Sequence, residues 1–236
     1  MSFNFGFKKL RPPPEDLPAD RRRALHFALG GLAIGGVSTS GLTTGGLAIG
    51  GLAIGGVSIS SLRPSLAAES TEWTAANSAR WLEQQGLKWS LRGEGFLRWF
   101  GLTVYQGRLW SAEGFEPLRW ENHSFALELV YARSLAGARI AETSLELIQA
   151  QRSSKEGVAA RDAAWLRFMR SSFPDVQAGD RIVGLYGWPQ AGCRFVHNLR
   201  LSGETNDLDF ARAFFAIWLD PKTREPGLRK ALLGQT

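Results

Sequence analysis

Three side chains in the aromatic and β-branched part of the sequence have types suited to binding or catalysis: Arg98, Tyr105 and Tyr131. A guanidinium can hold a carboxylate or an oxyanion through two parallel hydrogen bonds. A tyrosine hydroxyl can donate a hydrogen bond inside an otherwise apolar cleft. The alternative is structural, because a strand arginine is commonly solvated and a strand tyrosine commonly half-buried.

Other kinds of chemistry lack the necessary motifs. His123 and His197 have no partners at metal-ligand spacing. The single cysteine, Cys193, excludes an internal disulfide and a cysteine-rich metal site, and no basic group at motif spacing would activate it. The sequence has no P-loop, no dinucleotide-binding glycine motif after a strand and no nucleophile elbow. It therefore predicts neither a metal nor a cofactor.

The net charge of +6 is unevenly distributed along the chain. The first 68 residues carry seven Lys/Arg and three Asp/Glu, whereas the rest carry 21 and 19. A nucleic-acid groove needs clustered cations to neutralise phosphates. The nearly neutral remainder of the chain therefore argues against a nucleic-acid partner.

The candidate residues fall on predicted strands. A helix or an entry segment over 70–85 and a short strand over 87–91 come first, and Gly93 to Gly95 are predicted to form a turn. Residues 96–110 are predicted to form a long strand bent at its glycines, or a pair of strands. This segment carries Arg98 and Tyr105. Residues 123–131 alternate strongly and predict a strand exposed on one face, which ends at Tyr131.

Helices and further strands follow in blocks. Helices are predicted over 140–151 and 157–173, and strands over 181–187 and 193–201, with a turn at 188–192 between the strands. Hairpins prefer Asn-Gly, so Asn198-Leu199 would need another type of turn. A terminal helix begins at Asp207 or Asp209, stops at Asp220-Pro221 and precedes a short helix over 227–233. Blocks of strands and helices favour an α+β fold with an antiparallel sheet, on which the apolar terminal helix must pack.

The N-terminal third has the features of an export signal. Residues 1–20 are polar and proline-rich and are predicted to be disordered. Residues 21–68 contain Arg21-Arg22-Arg23, an uncharged stretch over 24–62 and a small-residue exit, Leu66-Ala67-Ala68. The arginines resemble those of a twin-arginine signal. This predicts a chain that is exported to the periplasm, or anchored facing it, with residues 69–236 as its functional domain.

Six glycine-rich pentads run from Gly30 to Ile59 and make this signal unusually long. They are interpreted as a repeat expansion within the signal. One alternative is an uncleaved membrane span within residues 24–62, since about 20 apolar residues suffice to cross a bilayer. Another is a small soluble β-coil similar to those of pentapeptide-repeat proteins, although stacked repeats usually need at least about three units to bury a core.

Five segments resemble the bacterial chalcone isomerase-like proteins and occur in that family's order. They are LRGEGFLRWFGLTVYQGRLW, FALELVYARSLAGARIAETSLE, FPDVQAGDRIVGLY, CRFVHNLRLSGE and DFARAFFAIWLDPKTREPGLRKALLG. The resemblance covers about residues 89–234. It implies an open-faced β-sandwich, in which helices cover a large antiparallel sheet and leave a cleft between the two layers. It also implies either enone cyclisation, with an arginine stabilising an enolate, or fatty-acid binding, with the carboxylate on Arg and Tyr.

The polar residues of the enzymes match this sequence poorly. Arg98 is the nearest equivalent of the family arginine, and Arg139 lies beside the turn that bears pocket residues in the family. Phe100 stands near the expected strand threonine, while Ile140 and Leu147 replace the expected Tyr and Asn. These departures predict a protein that has kept the cleft and lost the enzyme's polar groups.

The sequence therefore predicts an exported, non-catalytic protein that binds a small amphiphilic ligand, such as a fatty acid, through Arg98, Tyr105, Tyr131 and Arg139. One alternative is an isomerase or intramolecular lyase acting on an enone or conjugated acid, with Arg98 stabilising the oxyanion. Another is a structural or partner-binding module tethered to the membrane through residues 24–62.

Overall fold

The computed structural model describes residues 72–152 and 158–235. The predictions for the disordered segment over 1–20, the export signal over 21–68 and the first residues of the 70–85 helix lie outside these ranges. The α+β architecture and the antiparallel sheet fall within them.

One sheet contains six strands in the order in which they occur along the chain, and every neighbouring pair is antiparallel. The strands are β1 Ser90–Trp99, β2 Leu102–Ser111, β3 Phe125–Tyr131, β4 Arg181–Tyr186, β5 Cys193–His197 and β6 Arg200–Thr205. Successive residues of each strand point to opposite faces, so the sheet presents two chemically distinct surfaces.

Five α-helices and a 3-10 helix over Pro117–Asn122 complete the described chain. The α-helices are α1 Ala75–Gln84, α2 Gly137–Gln151, α3 Ala159–Ser172, α4 Leu208–Leu219 and α5 Pro226–Leu232. Helices α2 and α3 separate β3 from β4, and α4 and α5 follow β6, which confirms the predicted α+β order. None of the helices within the two described ranges is long and apolar enough to cross a membrane.

The predicted turn at Gly93 to Gly95 is wrong, as is the separate strand over 87–91. The glycines and residues 90 and 91 belong to β1, while residues 87–89 precede it, and the hairpin turns instead at Phe100 and Gly101, which have φ angles of 47° and 78°. The glycines serve close packing: a Cβ at Gly93 would lie 2.0 Å from the carbonyl oxygen of Ala231 in α5. Glycine therefore allows the last helix to approach the backbone of the first strand.

The single strand predicted over 193–201 is also wrong, because it divides into β5 and β6. The turn between them includes Asn198, whose φ of 53° lies in the left-handed region. Asparagine tolerates this region better than most residues. Leu199 avoids positive φ, so the turn differs from the Asn-Gly type, as its sequence predicts.

The terminal helix α4 packs on the sheet as predicted. Asp207 caps it by accepting a hydrogen bond from the backbone N–H of Phe210 at 2.9 Å. The Phe215 ring makes an edge contact with Phe125 of β3, with ring centroids 5.1 Å apart. Together with α2, α3 and α5, this helix covers one face of the sheet and forms the main apolar core.

The opposite face carries α1, so the prediction that residues 123–131 form a strand exposed on one face is wrong. Glu128 points toward α1 and is only 1% exposed. It accepts hydrogen bonds from Arg181 at 3.2 Å and from Ser78 of α1. The Arg181 side chain is 0% exposed, and its guanidinium lies 3.5 Å from the ring centroid of Trp73 and 4.6 Å from that of Trp81.

Candidate functional site

Two tyrosines face the helical layer from neighbouring strands. Tyr105 of β2 is paired in register with Tyr131 of β3, and their ring centroids are 6.0 Å apart in an edge-to-face arrangement. Both side chains are buried. The sheet therefore brings together two of the four residues that the sequence predicts for ligand binding.

Helix α4 completes this site with Trp218. The indole Nε1–H donates a hydrogen bond to the Tyr105 hydroxyl at 2.8 Å. Immediately beyond the helix, the Thr223 hydroxyl donates to the carbonyl oxygen of Ile217 at 2.6 Å and holds the chain close to the end of α4. Within the described ranges, the Tyr105 hydroxyl makes only the Trp218 bond, as an acceptor, so its own proton remains available to donate.

Burial keeps both phenols protonated. Desolvation raises the pKa of Tyr105 well above its usual range; the hydrogen bond from Trp218 partly offsets this, and the negative charge of Glu225 adds to the rise. Desolvation likewise raises the pKa of Tyr131, with a further contribution from Tyr105. At neutral pH the two side chains are hydrogen-bond donors and cannot act as bases.

The two predicted arginines lie elsewhere on the surface. Arg98 is exposed, with its guanidinium 5.3 Å from the ring centroid of Phe96 on the same strand. Arg139 is exposed and pairs with Glu142 at 2.7 Å, and that carboxylate also accepts a hydrogen bond from Arg170 at 2.9 Å. No described hydrogen bond joins either arginine to the tyrosines. Their role in ligand binding remains a prediction.

Trp218 belongs to the apolar terminal helix, and the sequence alone predicted no hydrogen-bonding role for its indole. A usable signal existed, because a buried indole N–H usually needs an acceptor and tyrosine is one of few in an apolar layer. Nor did the sequence predict a role for Arg108 of β2, which is buried on the opposite face.

Histidine and cysteine do not assemble a reactive centre in the described residues. The Nε2 of His197 lies 3.7 Å from the Asp180 carboxylate. Cys193 is buried, and desolvation raises the pKa of its thiol to about 12, with Asp207 adding to the rise. A thiol so rarely ionised is a poor nucleophile. Within residues 72–152 and 158–235, no three His, Cys, Asp or Glu side chains are placed to hold a metal ion.

The fold and the site together define an α+β protein in which one antiparallel sheet buries hydroxyl groups beneath a layer of helices. A family model described as chalcone isomerase-like matches residues 70–234. Since this match covers more than half of the sequence, the chain belongs to the chalcone isomerase-like family, which confirms the resemblance and the predicted fold.

Known proteins offer one further comparison. The matching solved structures comprise 35 chains. One is a fatty-acid binding protein of Arabidopsis thaliana with 9% sequence identity and a TM-score of 0.45, and the alignment covers 62% of this chain and 87% of that chain. No curated protein is similar enough to the chain to count as a match.

Proposed function

We propose that this protein binds a small amphiphilic ligand, such as a fatty acid, between the sheet and the helices without converting it. The observation that carries the proposal is the pair of neutral phenols, Tyr105 and Tyr131, side by side in an otherwise apolar layer. Two O–H donors can satisfy the carbonyl oxygen of a carboxyl group, while the surrounding apolar side chains accommodate the hydrocarbon. Membership of the family supports the same class of ligand.

The charges around the tyrosines favour binding over catalysis. Neither phenol has a cationic hydrogen-bond partner among the described residues, and the charge that acts on Tyr105 is the negative one of Glu225. A developing enolate needs positive or donor groups placed around its oxygen. We therefore place isomerase or intramolecular lyase chemistry second, and we expect the ligand's carboxyl group to bind in its protonated form.

The phenylalanine variant of Tyr105 should bind a fatty acid less well. Tyr105→Phe is expected to weaken dodecanoate binding by about tenfold, because one hydrogen bond to the carboxyl group is lost. Isothermal titration calorimetry on the full chain measures this, and Tyr131→Phe should behave in the same way.

Tyr186→Phe is the matched control. That hydroxyl donates to the carbonyl oxygen of Glu121 at 2.9 Å, so its loss should affect stability without changing affinity. Wild-type affinity in both the Tyr105 and Tyr131 variants would refute the proposed binding site.

Binding should also strengthen as the pH falls. Partial desolvation raises the pKa of Glu225 above its ordinary value, so on acidification this carboxylate is neutralised earlier than a fully solvated one. While Glu225 is charged it disfavours an ionised ligand, so binding requires the ligand's carboxyl group to take up a proton, which costs more free energy as the pH rises. Between about pH 8 and about pH 5, dodecanoate affinity should rise by at least about tenfold. Titrations across this range should show a shallower dependence in Glu225→Gln, and an affinity that does not change with pH would contradict the protonated binding mode.

We further infer that the domain is exported. Support comes from the sequence of residues 21–68 alone, where three arginines precede an uncharged stretch and a small-residue exit. Fractionation with N-terminal sequencing tests the inference and separates its two forms. A new N-terminus close to residue 69 in the periplasm indicates cleavage, whereas an intact Met1 in the membrane fraction indicates an anchor.

A further inference from the structure

A cavity of about 1090 Å³ lies on the α1 side of the sheet, away from the tyrosine pair. Its walls combine apolar side chains with charged ones, including Trp73, Glu94, Arg108, Val130, Leu199 and Arg200. Arg108 and Tyr105 both belong to β2 but point to opposite faces, because their positions differ by an odd number of residues. The cavity is therefore a separate site.

Arg108 is held rigidly along one edge of its guanidinium. Its Nη1 donates to the carbonyl oxygen of Trp73 at 2.7 Å and to Glu128 at 3.5 Å, and both contacts are buried. The side chain as a whole is 7% exposed. An arginine fixed in this way keeps its planar group in one orientation, so little conformational entropy is lost when another acceptor binds.

The other edge of Arg108 meets side chains that solvent can reach. Nε donates to Glu94 at 3.1 Å and Nη2 donates to Gln106 at 2.8 Å. The Glu94 side chain is 46% exposed, and Gln106 donates to the same carboxylate at 3.0 Å. Both acceptors line the cavity, so another acceptor in the cavity could take their place.

The charge balance of the buried cluster explains why Arg108 needs an anion at this edge of its guanidinium. The buried cluster contains two guanidinium groups, those of Arg108 and Arg181, and a single buried carboxylate, that of Glu128. Glu94 supplies the second negative charge from the cavity side. Without it, one buried positive charge would have no counterion, which is costly in a desolvated setting.

We propose that this cavity is a binding site for a small organic carboxylate with a short apolar chain. The carboxylate replaces Glu94 at Nε and Gln106 at Nη2 and accepts two parallel hydrogen bonds from Arg108. The apolar chain lies toward Val130 and Leu199. In the unliganded protein, Glu94 occupies the position of the ligand's carboxylate and competes with it.

The decisive variant removes the internal competitor. Glu94→Gln keeps the size of the side chain and deletes its charge, so the full chain should bind butanoate about tenfold more tightly than the wild type. Isothermal titration calorimetry at constant ionic strength, balanced with chloride, measures the affinity. Glu204→Gln is the matched control, since Glu204 pairs with Arg194 at 2.9 Å and is 54% exposed. It should bind butanoate as the wild type does.

Two results would overturn the proposal: equal butanoate affinity in Glu94→Gln and the wild type, or an equal gain in the Glu204→Gln control. Adding Arg108→Lys to Glu94→Gln should abolish the gain, because an ammonium lacks the two parallel donors. If that double variant fails to fold, the comparison of the single variants still decides. Tyr105→Phe should leave butanoate binding unchanged while weakening dodecanoate binding, so the two sites can fail independently.

Discussion

Replacing Glu128 by alanine is expected to lower the free energy of unfolding by about 4 kcal/mol, because two buried guanidinium groups lose the carboxylate between them. Glu128 accepts from Arg181 at 3.2 Å, from Arg108 at 3.5 Å and from the indole of Trp110 at 3.2 Å. Removing one partner of a buried ion pair leaves the remaining charge desolvated and uncompensated. Here Arg181 is left in that state, and Arg108 keeps only its ion pair with the partly exposed Glu94.

The neighbours of Glu128 cannot compensate for its loss. Arg181 keeps its contacts with the aromatic faces of Trp73 and Trp81, and its Nη2 donates to the carbonyl oxygen of Asn198 at 2.8 Å. None of these groups carries a full negative charge. Burial lowers the pKa of Arg181 and the charge of Glu128 opposes that effect, so the variant loses the main interaction that favours the charged form.

Urea unfolding of Glu128→Ala measures the loss in the free energy of unfolding, and Glu204→Ala, which removes a surface ion pair, is the control. The Glu204 variant should lose at most about 1 kcal/mol, since exposed pairs contribute little. A loss below about 1 kcal/mol in the Glu128 variant would mean that the buried charges find other partners or water.

The same cluster attaches α1 to the sheet through Ser78. A cleavage after Ala68, one of the alternatives that the sequence leaves open, would leave this attachment intact.

The order of strands and helices could be predicted because local patterns set it. Aromatic and β-branched runs mark the strands, and Asp207 with Asp220-Pro221 marks both ends of α4. The positions of Tyr105 and Tyr131 on adjacent strands follow from the same patterns. Their alignment across the ladder does not, because the register of β2 and β3 depends on the connection over residues 112–124, which includes the 3-10 helix and has no local pattern that sets its geometry.

Contacts between distant residues could not be predicted. Glu128 alternates with apolar residues and therefore resembles a solvent-facing position. In the structure it is covered by α1, whose Ser78 lies 50 positions earlier in the chain. Trp218 and Tyr105 are 113 positions apart. The periodicity of one element does not show which residue of another element will pack against it. Burial and hydrogen bonding between the layers could therefore not be predicted from the sequence.

Gly137→Ala is expected to lower the free energy of unfolding by about 3 kcal/mol, because the added methyl group would collide with backbone atoms. Gly137 begins α2, and a Cβ there would lie 2.0 Å from the carbonyl oxygen of Phe173 and 2.7 Å from the carbonyl carbon of Pro174. A flexible side chain could move aside, but a backbone segment that is hydrogen-bonded on both sides cannot.

The segment opposite Gly137 is fixed by several hydrogen bonds. Leu135 and Val176 exchange two backbone bonds, each of 2.9 Å, and the backbone N–H of Gly137 donates to Asp175 at 2.8 Å. To admit the methyl group, the start of α2 must separate from the end of α3, and these bonds must lengthen or break. The cost should therefore exceed that of an ordinary glycine replacement in a helix.

Gly227→Ala is the matched control for this substitution. Gly227 lies in α5, and a Cβ there would meet no heavy atom within 4 Å. Alanine is favoured over glycine in a helix by about 1 kcal/mol, so this variant should be neutral or slightly more stable. Urea unfolding of both variants compares the free energy of unfolding when the methyl group is added beside a backbone segment and when it is added in open space. If Gly137→Ala is as stable as Gly227→Ala, the junction between α2 and α3 must be loose enough to open, and the helical layer over the tyrosine pair is less rigid than its hydrogen bonds indicate.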